Sequence, residues 1–128
     1  MQPAEYNITI PRGGTFDLPI SLSDDDGLVD FSIVYTGARM QVRDDILHVP
    51  ETTVEAALLD LTTENGGLEI SGTTLYIHLT AAETAALTFV SGKYDIELVN
   101  DAGTDDVVDK LLYGKVTVTG EVTVEVTP

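Results

Sequence analysis

Cysteine and tryptophan are both missing from this 128-residue chain, and only six of its side chains are basic. Without cysteine there is no disulfide framework and no thiolate for metal or redox chemistry, so the fold must hold by burial alone, in a reducing compartment as well as outside one. A chain of this length can bury one core without such help, and a single domain over residues 1–128 is expected. Six Lys and Arg against 22 Asp and Glu leave a net charge of −16. That balance argues against nucleic acid, whose phosphates need a basic patch to displace counterions, and against anionic membrane surfaces by the same sign. Long hydrophobic runs are missing too. No stretch approaches the ~20 apolar residues that span a bilayer, and the N-terminus lacks the basic-then-apolar order of a secretory signal, so neither a leader nor an anchor is expected. The acidity suits solubility at high copy number, a basic partner surface, or divalent ions held between subunits.

Side chains with catalytic potential are equally sparse. His48 and His78 are the two histidines, and neither stands in a metal-ligand spacing such as H-E-x-x-H. Gly13-Gly14 and Gly66-Gly67 are turn glycines without the lysine and following helix of a phosphate cradle. Asp24–Asp26, and Asp101 with Asp105, Asp106 and Asp109, offer oxygen ligands, but neither cluster has the glycine and glutamate positions of a twelve-residue calcium loop, and aspartates favour turns for their own reasons. No catalytic residue, cofactor or metal is expected, and the chain reads as non-enzymatic.

What is present is alternation. Tyr6, Ile8 and Ile10 share one face of a first strand; Phe16, Leu18, Ile20 and Leu22 share one face of a second. Pro19, on the opposite parity of the second, predicts an edge or a bulge, because proline cannot donate to a ladder. Asp24-Asp25-Asp26-Gly27 is a turn, and Phe31–Tyr35 has no clear pattern. Over 35–43, Ala38, Met40 and Val42 point one way and Arg39, Gln41 and Arg43 the other. Those two arginines are expected to pair with carboxylates on a solvated face, with an anion or partner site as the alternative. Residues 44–55 read as a loop around Pro50. Ala57, Leu59 and Leu61 face inward on a short strand, which Asn65-Gly66-Gly67 joins to Leu68–Ile70 at hairpin spacing.

The clearest strand is 73–79, with Leu75, Ile77 and Leu79 inward and Tyr76 and His78 outward. Thr80-Ala81-Ala82-Glu83 then matches a capping box, opening a helix of about two turns before Ser91-Gly92. A helix that short is a corner between two sheets. Tyr94, Ile96 and Leu98 face inward on the next strand and Asp95 and Glu97 outward; the chain returns through Val108, Leu112, Val116 and Val118 as its antiparallel partner. Val122, Val124 and Val126 continue the alternation in a tail, 120–128, that pairs either with a neighbouring subunit by strand exchange or with its own sandwich as an extra edge. The pattern is that of an all-β sandwich.

The runs YTGARMQVR (35–43), LLDLTTENGG (58–67), LTAAETAAL (79–87), GKYDIELV (92–99) and LLYGKVTV (111–118) resemble a group of small tailed-bacteriophage structural proteins. That resemblance implies an immunoglobulin-like antiparallel β-sandwich with one short helical turn at an inter-sheet corner. It also implies a virion component, made in the bacterial host cytoplasm, that acts as an adaptor or anchor of the tail, neck or baseplate, or else decorates the capsid. Its partners would be other virion proteins, with several copies in a symmetric assembly. The chain departs from the family pattern at Gly27–Tyr35 and Ile46–Val54, segments where a virus-specific contact would differ. Arg39, Arg43, Val122, Val124 and Val126 are the expected partner-contacting residues. A soluble glycan- or receptor-binding module is the alternative of another class. It would require an exposed aromatic cluster from Tyr6, Tyr35, Tyr76 and Tyr113, of which alternation places only Tyr76 outside.

Overall fold

A computed structural model describes residues 3–24, 26–44, 57–104 and 106–120. Its strands are β1 (Ala4–Glu5), β2 (Ile8–Pro11), β3 (Phe16–Ile20), β4 (Ser23–Asp24), β5 (Gly27–Leu28), β6 (Gly37–Arg43), β7 (Leu59–Thr62), β8 (Leu68–Ser71), β9 (Thr74–Leu79), β10 (Ser91–Asn100) and β11 (Val107–Thr119). Two short helices, α1 (Phe31–Val34) and α2 (Ala81–Ala85), interrupt them.

One sheet runs β7-β6-β10-β11, with β1 and β2 both added along the far side of β11; the other runs β3-β9-β8, and β4 and β5 form a separate small hairpin. Alternation builds the space between the sheets. Ala38, Met40 and Val42 of β6, Tyr94, Ile96 and Leu98 of β10, and Leu75, Ile77 and Leu79 of β9 are all buried in one core. With the strand order above and a helix at the passage from β9 to β10, this is the layout of an immunoglobulin-like sandwich. Most pairs are antiparallel, while β1 and β2 run parallel to β11. Pro19 lies in β3, an edge strand, where its missing N–H costs no ladder bond.

The corner helix forms for the reason its sequence suggests. Thr80 Oγ1 accepts from Glu83 N–H at 3.1 Å, and the Glu83 carboxylate accepts from Thr80 N–H at 2.9 Å. The helix is nearer one turn than two, since Ala86 already caps it. Thr84, fully buried, accepts from Gly13 N–H and donates to the Gly14 carbonyl, so the β2–β3 turn is tied to the corner. Arg12 completes that tie through the Leu87 and Phe89 carbonyls, each 3.1 Å away.

Several sequence expectations need correction. The first strand is broken at Tyr6-Asn7, and Tyr6 is exposed instead of inward. The break has a use: Tyr94 donates its hydroxyl to the Tyr6 carbonyl, and Asn7 Oδ1 accepts from Lys115 N–H, 3.0 Å away. Asn65-Gly66-Gly67 does not close a hairpin, because β7 pairs with β6 and β8 pairs with β9, in opposite sheets. Asn65 Oδ1 accepts from both Thr62 and Gly67 N–H and folds the chain over Leu61. A Cβ at Gly67 would come within 2.5 Å of the Leu61 side chain, so the crossing needs glycine there. On β11 the register shifts opposite Ile96/Glu97, so Leu111 is buried, while Val108, expected inward, is exposed. The unpatterned 31–35 segment holds α1, capped by Asp30, which accepts from Ser32 N–H. Val122, Val124, Val126, His48 and the Pro50 loop lie outside the described residues.

Candidate partner-binding face

The outer face of the larger sheet collects the cations of the chain. β6 turns Arg39, Gln41 and Arg43 outward, β10 turns Lys93, Asp95 and Glu97, and β11 turns Lys110, Tyr113 and Lys115. Five of the six basic residues therefore stand on one side of one sheet; the sixth, Arg12, is spent on backbone carbonyls at the opposite sheet's corner. Two of the five, Arg39 and Arg43, are the arginines singled out in the sequence, and both project as expected. The three lysines were missed because their strands had not yet been aligned with β6.

Pairing registers arrange these side chains in rows across the sheet. One row is Arg39–Glu97–Lys110, the next Gln41–Asp95–Tyr113, and the last Arg43–Lys93–Lys115. The cations of the first row are compensated by Glu97 and by Asp95 of the next row. Arg39 Nε lies 2.5 Å from Glu97 Oε1, and Lys110 bridges Glu97 and Asp95, the latter at 2.8 Å. Burial by itself would push the Glu97 carboxyl up, but hydrogen bonds from Lys110 and Arg39 outweigh it and hold it below the usual carboxylate range. Hydrogen bonds to Asp95 and Glu97 likewise raise the Lys110 ammonium.

The last row is built differently. Lys93 stands directly opposite Arg43 on one side and Lys115 on the other, an arrangement that sets like charges ~5 Å apart at Cβ. Among the described residues neither lysine makes an ion pair, whereas Arg43 donates to Gln41 Oε1 at 2.8 Å. With 22 carboxylates in the chain, a compensating partner was chemically available to every strand, yet among the described residues neither Lys93 nor Lys115 has one. Beside it lies a depression of about 450 Å³ lined by Arg43, Lys93, Asp95, Lys110 and Tyr113, among others.

Tyr113 borders the same region, and Tyr6 meets it through the backbone. Tyr6 and Tyr113 are 47% and 44% exposed and neighbours in the ladder, Tyr6 N–H donating to the Tyr113 carbonyl at 2.8 Å. Alternation had placed only Tyr76 outside; the break at Tyr6-Asn7 exposes Tyr6, and Tyr113 stands on the outward parity of Lys115. Tyr35 is buried instead, and its hydroxyl donates to Asp109 at 2.7 Å. Burial and that carboxylate push the Tyr35 phenol up to about 12. In the second acidic cluster Asp101 accepts from Thr36 Oγ1 and Asp109 from the Tyr35 hydroxyl, so both tie the chain to the 35–36 segment. Among the described residues no three His, Asp or Glu gather as a metal site. No described helix is long and apolar enough to cross a membrane.

No family model matches the chain, and comparison with curated proteins found no match. Among solved structures, it is similar to the extracellular domain of the voltage-gated sodium channel beta4 subunit, whose parallel homodimers are described as explaining its role in cell-cell adhesion. That likeness covers 93% of this chain and 96% of the other, at 10% identity and a TM-score of 0.32.

Proposed function

We propose that the protein is a non-enzymatic binding module, an adaptor that seats an acidic partner surface on the outer face of its larger sheet. The observation that carries this reading is the Arg43–Lys93–Lys115 row. Such a row destabilises the free protein and is relieved when carboxylates of a partner lie over it. Tyr113, exposed and lining the depression beside it, supplies rigid aromatic area typical of interface centres. Sequence resemblance to tailed-phage structural proteins supports a place in a virion, as a tail, neck or baseplate adaptor present in several copies.

Quantitative mass spectrometry of purified virions tests the placement. About six to eighteen copies fits a tail, neck or baseplate position, hundreds fits capsid decoration, and absence removes the virion reading. In assembled particles, carbodiimide coupling should join Lys93 and Lys115 to carboxylates of a neighbouring protein. Links confined to other faces would sink the docking face. A glycan-binding role is the second reading, favoured by the exposed Tyr6–Tyr113 pair; loss of glycan-array binding on Tyr113→Ala would support it.

A further inference from the structure

Exposed apolar side chains gather at one end of the sandwich, away from the cation row. The connection between β3 and β6 carries Leu28, Ile33 and Val34, and the start of β11 carries Val107 and Val108; all five are exposed, Ile33 to 80%. They account for five of the nine large hydrophobic residues exposed among the described residues. The two segments are held together. Asn100 Nδ2 donates to the Val34 carbonyl at 2.9 Å, Thr36 N–H donates to Val99 at 2.8 Å, and Asn100 pairs with Val107 in the β10–β11 ladder. Val34 and Val107 therefore flank one asparagine.

Along these two segments charge has a single sign, and the cation beside them, Arg39, shares a depression with Asp101 and Asp106 and is paired with Glu97. The connection 21–36 and the stretch 100–108 contain no Lys, Arg or His, and they carry Asp26, Asp30, Asp101 and Asp106 beside the apolar residues. An apolar centre bordered by carboxylates, on a chain at −16, selects against anionic lipid and against acidic proteins, and it attracts a positively charged partner from a distance.

We propose that this end is a second docking site, and that its occupant is a basic amphipathic segment of a partner protein, with apolar side chains over Ile33, Val34 and Val107 and its Lys and Arg toward the surrounding aspartates. The site is separate from the outer-face row and takes the opposite charge, so an adaptor of this kind can hold two chemically distinct neighbours at once.

An NMR titration tests it, with a ~14-residue Leu/Lys peptide whose leucines fall on one helical face as the probe, run in about 0.15 M salt. A peptide of the same composition with its leucines scattered is the control. Shift changes are expected at Leu28, Ile33, Val34, Val107 and Val108, with the scattered peptide binding about tenfold more weakly or worse. Ile33→Ser combined with Val107→Ser should cost the amphipathic peptide at least about tenfold; both positions are exposed, and the variant's own spectrum verifies its fold. Equal binding of the two peptides, or no loss in the double variant, would overturn the proposal, since net charge alone would then account for the attraction. Shifts at this end on adding phosphatidylcholine vesicles, with none from the peptide, would overturn it in favour of a lipid surface.

Discussion

Replacing Lys93 with glutamate should make the isolated protein more stable. Lys93 faces Arg43 and Lys115 across its two ladders, so one substitution converts two like-charge pairs into two opposite-charge pairs. Directly opposed charges on a sheet contribute roughly 0.2–1 kcal/mol each when opposite in sign and cost a comparable amount when alike. Discounted for solvent screening of exposed side chains, the change amounts to about 1 kcal/mol of added stability, or ~3–5 °C in Tm for a domain of this size. Against this, the substitution makes a chain already at −16 two units more negative, but those charges act at longer range and are screened more. Urea denaturation at low and high salt is the assay. The gain should be largest at low salt, Lys93→Gln should fall between wild type and Lys93→Glu, and Lys115→Glu, with one cationic neighbour in the row, should give about half the effect. A Lys93→Glu protein no more stable than wild type at low salt would refute the reasoning. The row would then carry no repulsion for a partner to relieve.

Gly92→Ala should destabilise the sandwich by about 1–3 kcal/mol, because the added Cβ would lie 2.7 Å from the Arg43 carbonyl oxygen and 2.8 Å from Val42 Cγ1, and a backbone oxygen cannot yield without moving β6. Gly120→Ala, whose Cβ meets nothing within 4 Å among the described residues, is the matched control, and chemical denaturation compares the two. His78 should titrate above its ordinary 6.5, raised first by its hydrogen bond with Asp17 and then by the charges of Asp17, Glu83 and Glu69. A raised folded-state pKa stabilises fully below the unfolded value and loses that contribution as pH rises through the folded value. The deficit of His78→Gln should therefore be greatest in mild acid and shrink above neutrality. Imidazole NMR together with denaturation at stepped pH would check this, and a deficit that grows with pH would contradict it.

How far the sequence could be read depended on the range of the interaction that fixes each feature. β9 and β10 declare themselves because period-2 alternation is local, and α2 because Thr80 and Glu83 are three residues apart and cap each other. Asn65-Gly66-Gly67 looked like a hairpin because turn chemistry reports only that the chain reverses, not which strand it meets afterwards. The exposure of Tyr6 was not readable, since the strand breaks there to satisfy Tyr94 and Lys115, 88 and 108 positions away along the chain. Val108 and Leu111 exchanged faces because one register shift inverts the parity of everything beyond it.

The sequence by itself determined the class of fold, the inward and outward sets on each regular strand, the corner helix, and the projection of Arg39 and Arg43. All of these follow from dihedral periodicity and contacts within a few residues. Only the tertiary structure decided that Lys93 and Lys115 join Arg43 in one row, that Arg12 is occupied elsewhere, and that Val34 and Val107 flank Asn100. Each of those depends on which strands become neighbours, and strand pairing is settled by burial of the whole core, to which no single segment holds the answer.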